Sequence, residues 1–418
     1  MDKLLVRGGR ALKGHVEISG SKNAILPIMA ASLMCSGEVI LSGVPDLEDI
    51  NVMSEALTIL GAVVKREGDI LVIDGSSVNN CELPECVSRR MRASNLVMGA
   101  LLGRFKQARV AYPGGCAIGS RPMDLHIKGF KSMGYEITEE HGLMAGRAVS
   151  IAGKETMLDV PSVGATENIM MAASMTPGTT IIRNAAREPE IVDLQNFLNR
   201  MGARIKGAGL DAIRIEGVDR LGRVEHTVIP DRIEAGTFMV AAAITRGDIW
   251  IENVVTEHLQ PVIAKLGEIG VEVLPWGGGI RVVGNPYYHP TDVKTMPYPG
   301  FPTDMQAQMM TLLSTVDGTS VVVETIFENR YMHVPELRRM GADIKVEGRV
   351  AIIKGNQRWE GACVEASDLR AGAALILAGL YANGETQIFQ LEHIDRGYER
   401  IHEKLKNIGA DIERMSVS

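Results

Sequence analysis

The run Pro113-Gly114-Gly115-Cys116-Ala117-Ile118-Gly119-Ser120-Arg121-Pro122-Met123-Asp124-Leu125-His126 sets a thiol among three glycines. A guanidinium follows five residues on and a carboxylate eight residues on. Glycine admits backbone conformations closed to other residues, which suits a loop that shuts over a ligand. A free cysteine is by habit a buried, structural residue. The glycines and the Arg121/Asp124 pair argue for chemistry instead. A thiol of ordinary pKa, about 8.5, is mostly protonated at neutral pH and can donate that proton; basic neighbours favour the nucleophilic thiolate.

A second set of polar residues stands where apolar helical stretches begin: Ser19-Gly20-Ser21-Lys22-Asn23, Arg89-Arg90-Met91-Arg92, Thr303-Asp304-Met305-Gln306 and Ser367-Asp368-Leu369-Arg370. Helix N-termini present unpaired N–H groups and positive partial charge, so they receive anions. With Lys22, Arg92, Arg121, Arg330, Arg370 and Arg396 they predict a cleft for a ligand of several negative charges. Asp304 has two readings. It favours the helix dipole by about 0.3–1 kcal/mol where it stands, or it is a base. Thr303 and Gln306 have capping-box spacing. Met305, Met309, Leu312 and Val316 form an apolar stripe on a helix over 304–316, which leaves Asp304, Gln308, Thr311 and Thr315 on a polar side.

These residues sit in a repeat. An apolar helix end, a glycine and alternating apolar residues recur at Gly61, Gly134, Gly202, Gly270, Gly341 and Gly409, spaced 73, 68, 68, 71 and 68 residues apart. Glycine after a helix supplies a left-handed cap, and the alternation reads as a strand. Each repeat also holds a helix that is apolar nearly all round and leads through a turn into a strand: 24–36, 93–102, 165–176, 234–245, 304–316 and 370–382. Such helices are buried. The expected fold class is α/β: six repeats, three per domain, with buried helices and strands outside. The predicted domains are 22–229, carrying the Cys116 loop, and 1–21 plus 230–418, carrying Asp304, Arg330, Arg370 and Arg396. The active site is expected in the cleft between them.

Composition narrows the function. The 418 residues carry a net charge of −7 without a Lys/Arg run, which argues against nucleic acid and anionic membranes as partners. Five scattered cysteines, 35, 81, 86, 116 and 363, point to a reducing compartment rather than a disulfide framework. No apolar signal segment opens the chain, and its most apolar stretches fall short of the ~18 residues of a membrane span. A cytoplasmic location is expected. Cys81 and Cys86 lack a second pair at zinc spacing, no dinucleotide fingerprint is present, and Gly114-x4-Gly119 lacks the Gly-Lys-Ser/Thr end of a phosphate loop.

The chain resembles the enolpyruvyl transferases, in the branch that uses UDP-N-acetylglucosamine as acceptor. The resemblance rests on Gly20–Ala24, Met91–Ser94, Pro113–His126, Ser162–Thr166, Arg187–Asp193, Pro230–Glu234, Phe301–Gln308, Phe327–Arg330, Asp368–Arg370 and Asp395–Arg400. It implies a two-domain inside-out α/β barrel that closes over its substrates. It also implies transfer of the enolpyruvyl group of phosphoenolpyruvate to the 3′-hydroxyl of UDP-N-acetylglucosamine, with release of phosphate and no cofactor or metal. By resemblance Cys116 delivers the proton to C3 and can form a thioketal, and Asp304 takes the hydroxyl proton. Lys22, Asn23, Cys116, Arg121 and Arg396 bind phosphoenolpyruvate. Asn23, Arg92, Arg121, Pro122, Met123, Asp124, Leu125, Ser162, Val163, Gly164, Asp304 and Ile326 bind the sugar nucleotide. Where relatives often carry Lys, two residues before Ser162, this chain has Val160. The shikimate-pathway transferase has no counterpart of the Gly-Gly-Cys loop, and a catalytically silent UDP-sugar sensor would not need Cys116, Asp304 and Lys22 together.

Overall fold

The computed structural model describes residues 2–114, 118–119, 122–355 and 358–416. Cys116 and Arg121 lie outside the described residues. The six apolar stretches fold as helices Lys22–Ser32, Leu96–Phe105, Val163–Ser174, Arg232–Ile244, Gln306–Leu313 and Leu369–Tyr381. Away from their ends every side chain is buried. A helix with no polar face has no place at the surface.

Outside them, among the described residues, lie six four-stranded sheets, one per repeat. All six follow one pattern: a parallel edge pair, then two antiparallel pairings. In one, Glu155–Met157 runs parallel to Thr179–Arg183, which pairs antiparallel with Ala212–Glu216 and that in turn with Arg204–Lys206. The strands alternate buried and exposed residues, as sheets with one solvated face do. The six repeating glycines all adopt left-handed φ, between 89° and 111°. An L side chain is strained there, which accounts for glycine at each of those turns.

Two compact units result. Residues 20–114 with 122–229 form one; residues 2–19, 118–119 and 230–416 form the other. Each closes its own core, the first on side chains between Ala24 and Val228, the second on Leu4–Ile18 together with Ile233–Ile412. Strand Asp2–Arg7 inserts between Glu385–Phe389 and Asp411–Ser416, while Lys13–Glu17 pairs with Asp248–Glu252, so the N-terminal strands complete sheets of the second unit. Among the described residues no helix is long and apolar enough to cross a membrane.

Two local expectations need correction. The helix expected over 93–102 does not stop there; it runs on through Gly103 as Leu96–Phe105, and Lys106 takes the left-handed cap at φ 62°. The stretch 304–316 begins as the 3₁₀ turn Thr303–Met305 and becomes α-helical at Gln306. Its supposed polar side is interior, since Gln308, Thr311 and Thr315 are buried. Their donors are absorbed locally: the Thr311 hydroxyl donates to the Ala307 carbonyl at 3.0 Å and Gln308 Nε2 to the Asp304 carbonyl at 2.9 Å. No capping box forms: Thr303 is the first residue of the 3₁₀ turn rather than its cap, and its hydroxyl donates to Glu324 Oε2 at 3.0 Å.

Candidate active site

In the unit that carries Asp304, the 3₁₀ turn lifts this residue off the buried helix end. Its carboxylate bridges two guanidiniums: Arg330 Nη2 donates to Oδ1 at 2.9 Å and Arg370 Nη2 to Oδ2 at 2.8 Å. The Asp304 side chain is 24% exposed, whereas those of Arg330 and Arg370 are 3% and 4% exposed. One oxygen per guanidinium is the charge-assisted arrangement that fixes a carboxylate in orientation as well as place. Arg370 enters from the first turn of Leu369–Tyr381, where Asp368 accepts from the Arg370 and Ala371 amides. Burial opposes the Arg370 charge, but the Asp304 carboxylate, with Tyr398 and Asp231 behind it, outweighs this and holds its pKa above the ordinary guanidinium value. The Arg370 guanidinium also lies 5.4 Å from the Tyr398 ring centre, and Arg330 lies 5.5 Å from that of Phe327.

In the same unit, Ile326 is half-buried on the segment after strand Gly318–Val323, and Arg396 closes the short helix Glu392–Asp395. The Ile118 carbonyl accepts from the Asn329 amide at 3.1 Å within the same unit. Sequence reasoning placed Arg330 and Arg370 among the ligand-holding cations; their grip on Asp304 was not foreseen.

In the other unit, Ser21 caps helix Lys22–Ser32 by accepting from the Ala24 amide. Lys22 and Asn23 thereby occupy its half-buried first turn. The Lys22 ammonium reaches Asp49 Oδ2 at 3.0 Å, with Asp49 itself only 3% exposed. Arg92 stands at the head of the 3₁₀ turn Arg92–Asn95, half-buried, with Nη2 3.9 Å from Met123 Sδ. Asn95 Nδ2 also approaches that sulfur, at 3.1 Å. Met123 and Leu125 are buried, while Pro122 and Asp124 are exposed at the start of helix Asp124–Ser132.

Ser162 caps Val163–Ser174 by accepting from the Ala165 amide, which puts Val163 and Gly164 at a helix N-terminus. His126 packs against that turn: a Cβ on Gly164 would stand 3.2 Å from its Cε1. Asn168 Nδ2 donates to His126 Nδ1 at 3.0 Å, and Asn168 Oδ1 accepts from the Gly99 amide at 2.7 Å. Burial, aided by the Arg92 charge, pushes the His126 pKa down to about 3. The ring is therefore neutral, with its proton on Nε2. Val160 is 59% exposed.

Each unit thus gathers its own predicted residues. Lys22, Asn23, Arg92, Met123, Leu125 and Ser162–Gly164 stand at helix starts of one; Asp304, Ile326 and Arg396 belong to the other.

Comparison with known proteins places these residues in context. The EPSP synthase family model, 3-phosphoshikimate 1-carboxyvinyltransferase, matches residues 6–405. UDP-N-acetylglucosamine 1-carboxyvinyltransferase 1 of Caldanaerobacter subterraneus is 57% identical over 412 residues, 99% of each chain. UDP-N-acetylglucosamine 1-carboxyvinyltransferase 2 of Carboxydothermus hydrogenoformans is 56% identical over 418 residues, the whole of both. Among solved structures, the enolpyruvyl transferase NikO from Streptomyces tendae superposes with a TM-score of 0.90 at 25% identity, covering 100% of this chain and 99% of its own. An EPSP synthase from Acinetobacter baumannii gives 0.75 at 18% identity over the full length of both and shares the fold.

Proposed function

We propose how this chain, which belongs to the EPSP synthase family of enolpyruvyl transferases, divides its reaction among the residues described above. The protein transfers the enolpyruvyl group of phosphoenolpyruvate to UDP-N-acetylglucosamine, releasing phosphate, a reaction of peptidoglycan synthesis. The acceptor follows from identity of 56–57% across the whole chain rather than from the fold, which the shikimate enzymes share.

Addition needs a proton delivered to C3 while the sugar 3′-oxygen bonds to C2. In our reading Cys116 is the acid and Asp304 takes the hydroxyl proton. Elimination then removes a C3 proton and expels phosphate, re-forming the double bond. Lys22, Arg121 and Arg396 stabilise the phosphate and carboxylate charges, which needs cations but no cofactor. Asn23, Arg92, Pro122–Leu125, Ser162–Gly164 and Ile326 hold the sugar nucleotide. The reaction takes place in the cytoplasm.

The observation that carries the role of Asp304 is its two-armed grip. A carboxylate with each oxygen on a separate, buried guanidinium has little rotational freedom, and general bases work by position before pKa. His126, neutral and tied to Asn168, backs the turn at Gly164 rather than exchanging protons.

Phosphate release measured with both substrates tests turnover; a sensor would bind and release nothing. Fosfomycin, an epoxide, should alkylate Cys116 and inactivate the protein irreversibly. A Cys116→Asp variant should keep the acid and escape alkylation. If that variant is inactivated as fast as the parent, another residue is the target and the assignment of Cys116 fails.

A further inference from the structure

We propose that Glu324 is a positioning residue for enolpyruvyl transfer, setting the Asp304 carboxylate through Thr303 on one side and through Phe327 and Arg330 on the other. The inference rests on the reading of Asp304 as the base.

Glu324 follows strand Gly318–Val323 in the phase of Ser320 and Val322, which point inward, and it is itself fully buried. Its two oxygens accept four hydrogen bonds. Oε1 takes the Thr295 hydroxyl at 2.8 Å and the Ile326 and Phe327 amides at 2.8 and 3.2 Å; Oε2 takes the Thr303 hydroxyl at 3.0 Å. Those donors come from three stretches of chain: the one after Val293–Lys294, the one entering the Asp304 turn, and the one leading to Arg330. Thr295 is fastened further, its hydroxyl oxygen accepting from the Thr325 amide at 2.9 Å and its carbonyl from the Thr325 hydroxyl at 2.6 Å.

None of the four partners carries a positive charge. Burying a carboxylate among neutral donors costs stability that an apolar side chain in the same interior phase would not. What the carboxylate does that no neutral side chain can is present acceptors only, on two atoms, to hydroxyls and amides from three directions. Two routes run from it to Asp304. Thr303 is the preceding residue. Phe327, whose amide is held, lies under the Arg330 guanidinium, which in turn donates to Asp304 Oδ1. The same clamp fixes the backbone of Ile326, a proposed sugar-nucleotide contact, so the Asp304 turn and the Ile326 segment share one anchor.

A shift of about 1 Å in a reacting group lowers turnover about a hundred-fold. Glu324→Ala should therefore lower kcat by roughly 30- to 100-fold at saturating substrates, measured well below the melting temperature on folded, monodisperse protein. Glu324→Gln, which keeps the acceptor toward the Ile326 and Phe327 amides, should recover at least a ten-fold share of that loss. Thr303→Val, which cuts only the link to the Asp304 turn, should lower kcat about ten-fold with little change in melting temperature; it decides the matter should Glu324→Ala not fold. A purely structural Glu324 would lower melting temperature and leave kcat of the folded protein alone. Glu324→Ala or Thr303→Val turning over within three-fold of the parent, while Asp304→Asn is inactive, overturns the inference. An active Asp304→Asn overturns instead the reading on which it rests.

Discussion

Replacing Arg330 by Met tests whether the Asp304 grip is a working device. Met retains the length and packing of the stem but removes one of the two donors. A hydrogen bond to a charged group contributes about 1.5–3 kcal/mol, and breaking a buried ion pair costs about 3–5 kcal/mol. Asp304 keeps Arg370 and is 24% exposed, so water repairs part of the loss. About 2 kcal/mol is the expected cost. For a unit of this size that lowers its melting temperature by about 4–8 °C. The functional cost is separate. Without the Arg330 donor the carboxylate is held less firmly in orientation, and kcat should fall about a hundred-fold. Thermal unfolding followed by near-ultraviolet circular dichroism gives the first number and phosphate release at saturating substrates the second. Arg330→Lys, a point charge without the planar fork, should fall between Met and the parent on both. If Arg330→Met melts within 1 °C of the parent and turns over within three-fold, the two-armed geometry is incidental and the argument for Asp304 fails.

Three buried groups predict how stability depends on pH. Glu234 is fully buried, and burial, only partly offset by Lys404 at 2.7 Å, raises its pKa from 4.5 to about 7. The folded state therefore holds this proton more tightly than the unfolded chain. Its contribution is complete below about pH 4.5 and is lost as pH rises through about 7. His126 and His333 act oppositely: burial lowers their pKa from 6.5 to about 3 and about 4, so their contribution is full above about pH 6.5 and is lost as pH falls toward those values. Urea unfolding at pH 5 and pH 8 should show Glu234→Gln losing stability on acidification more steeply than the parent and His126→Gln less steeply; equal slopes in all three would refute the assignments. Gly99→Ala should destabilise by about 1–3 kcal/mol, because its Cβ would stand 2.4 Å from the Asn168 carbonyl. Unchanged urea midpoints would refute that close helix contact.

Much of the architecture was legible because it repeats. The interval near 70 residues, the all-round apolar helices and the left-handed glycines each carry a local physical signature, and all three recur in every repeat. Boundaries were less legible. Gly103 reads as a stop signal, yet the helix runs through it because the tertiary packing of Leu96–Phe105 outweighs the weak propensity of one glycine. The polar residues Gln308, Thr311 and Thr315 read as a solvent face because periodicity reports polarity, not where the polar atoms find partners. The site divides in the same way. Residue types at helix starts pointed to Lys22, Arg92, Asp304 and Arg370. The pairing of Asp304 with Arg330 and Arg370, across 26 and 66 residues of sequence, has no local signal. Glu324 had one: an acidic residue in the inward phase of the strand carrying Ser320 and Val322. Cys116 and Arg121, the most suggestive residues of the sequence, lie outside the described residues.

The inside-out arrangement explains why so much chemistry gathers at helix starts. In a helix packed on the outside of a sheet, the first turn is a surface feature and its side chains are held weakly. Here the helix bodies are buried while their first turns remain half-open at Lys22, Asn23, Gly164 and the Asp304 turn. A reacting group there has a rigid, fully packed body behind it and the positive end of a helix beside it, which is what holding an anion in a fixed place requires. The same arrangement makes buried polar nodes costly and therefore informative. Glu324 among four neutral donors and Asn168 bridging Gly99 to His126 each sit one step behind a proposed ligand contact. Buried polar groups at those positions are hard to justify by packing alone, and follow directly if their task is to hold a neighbour still.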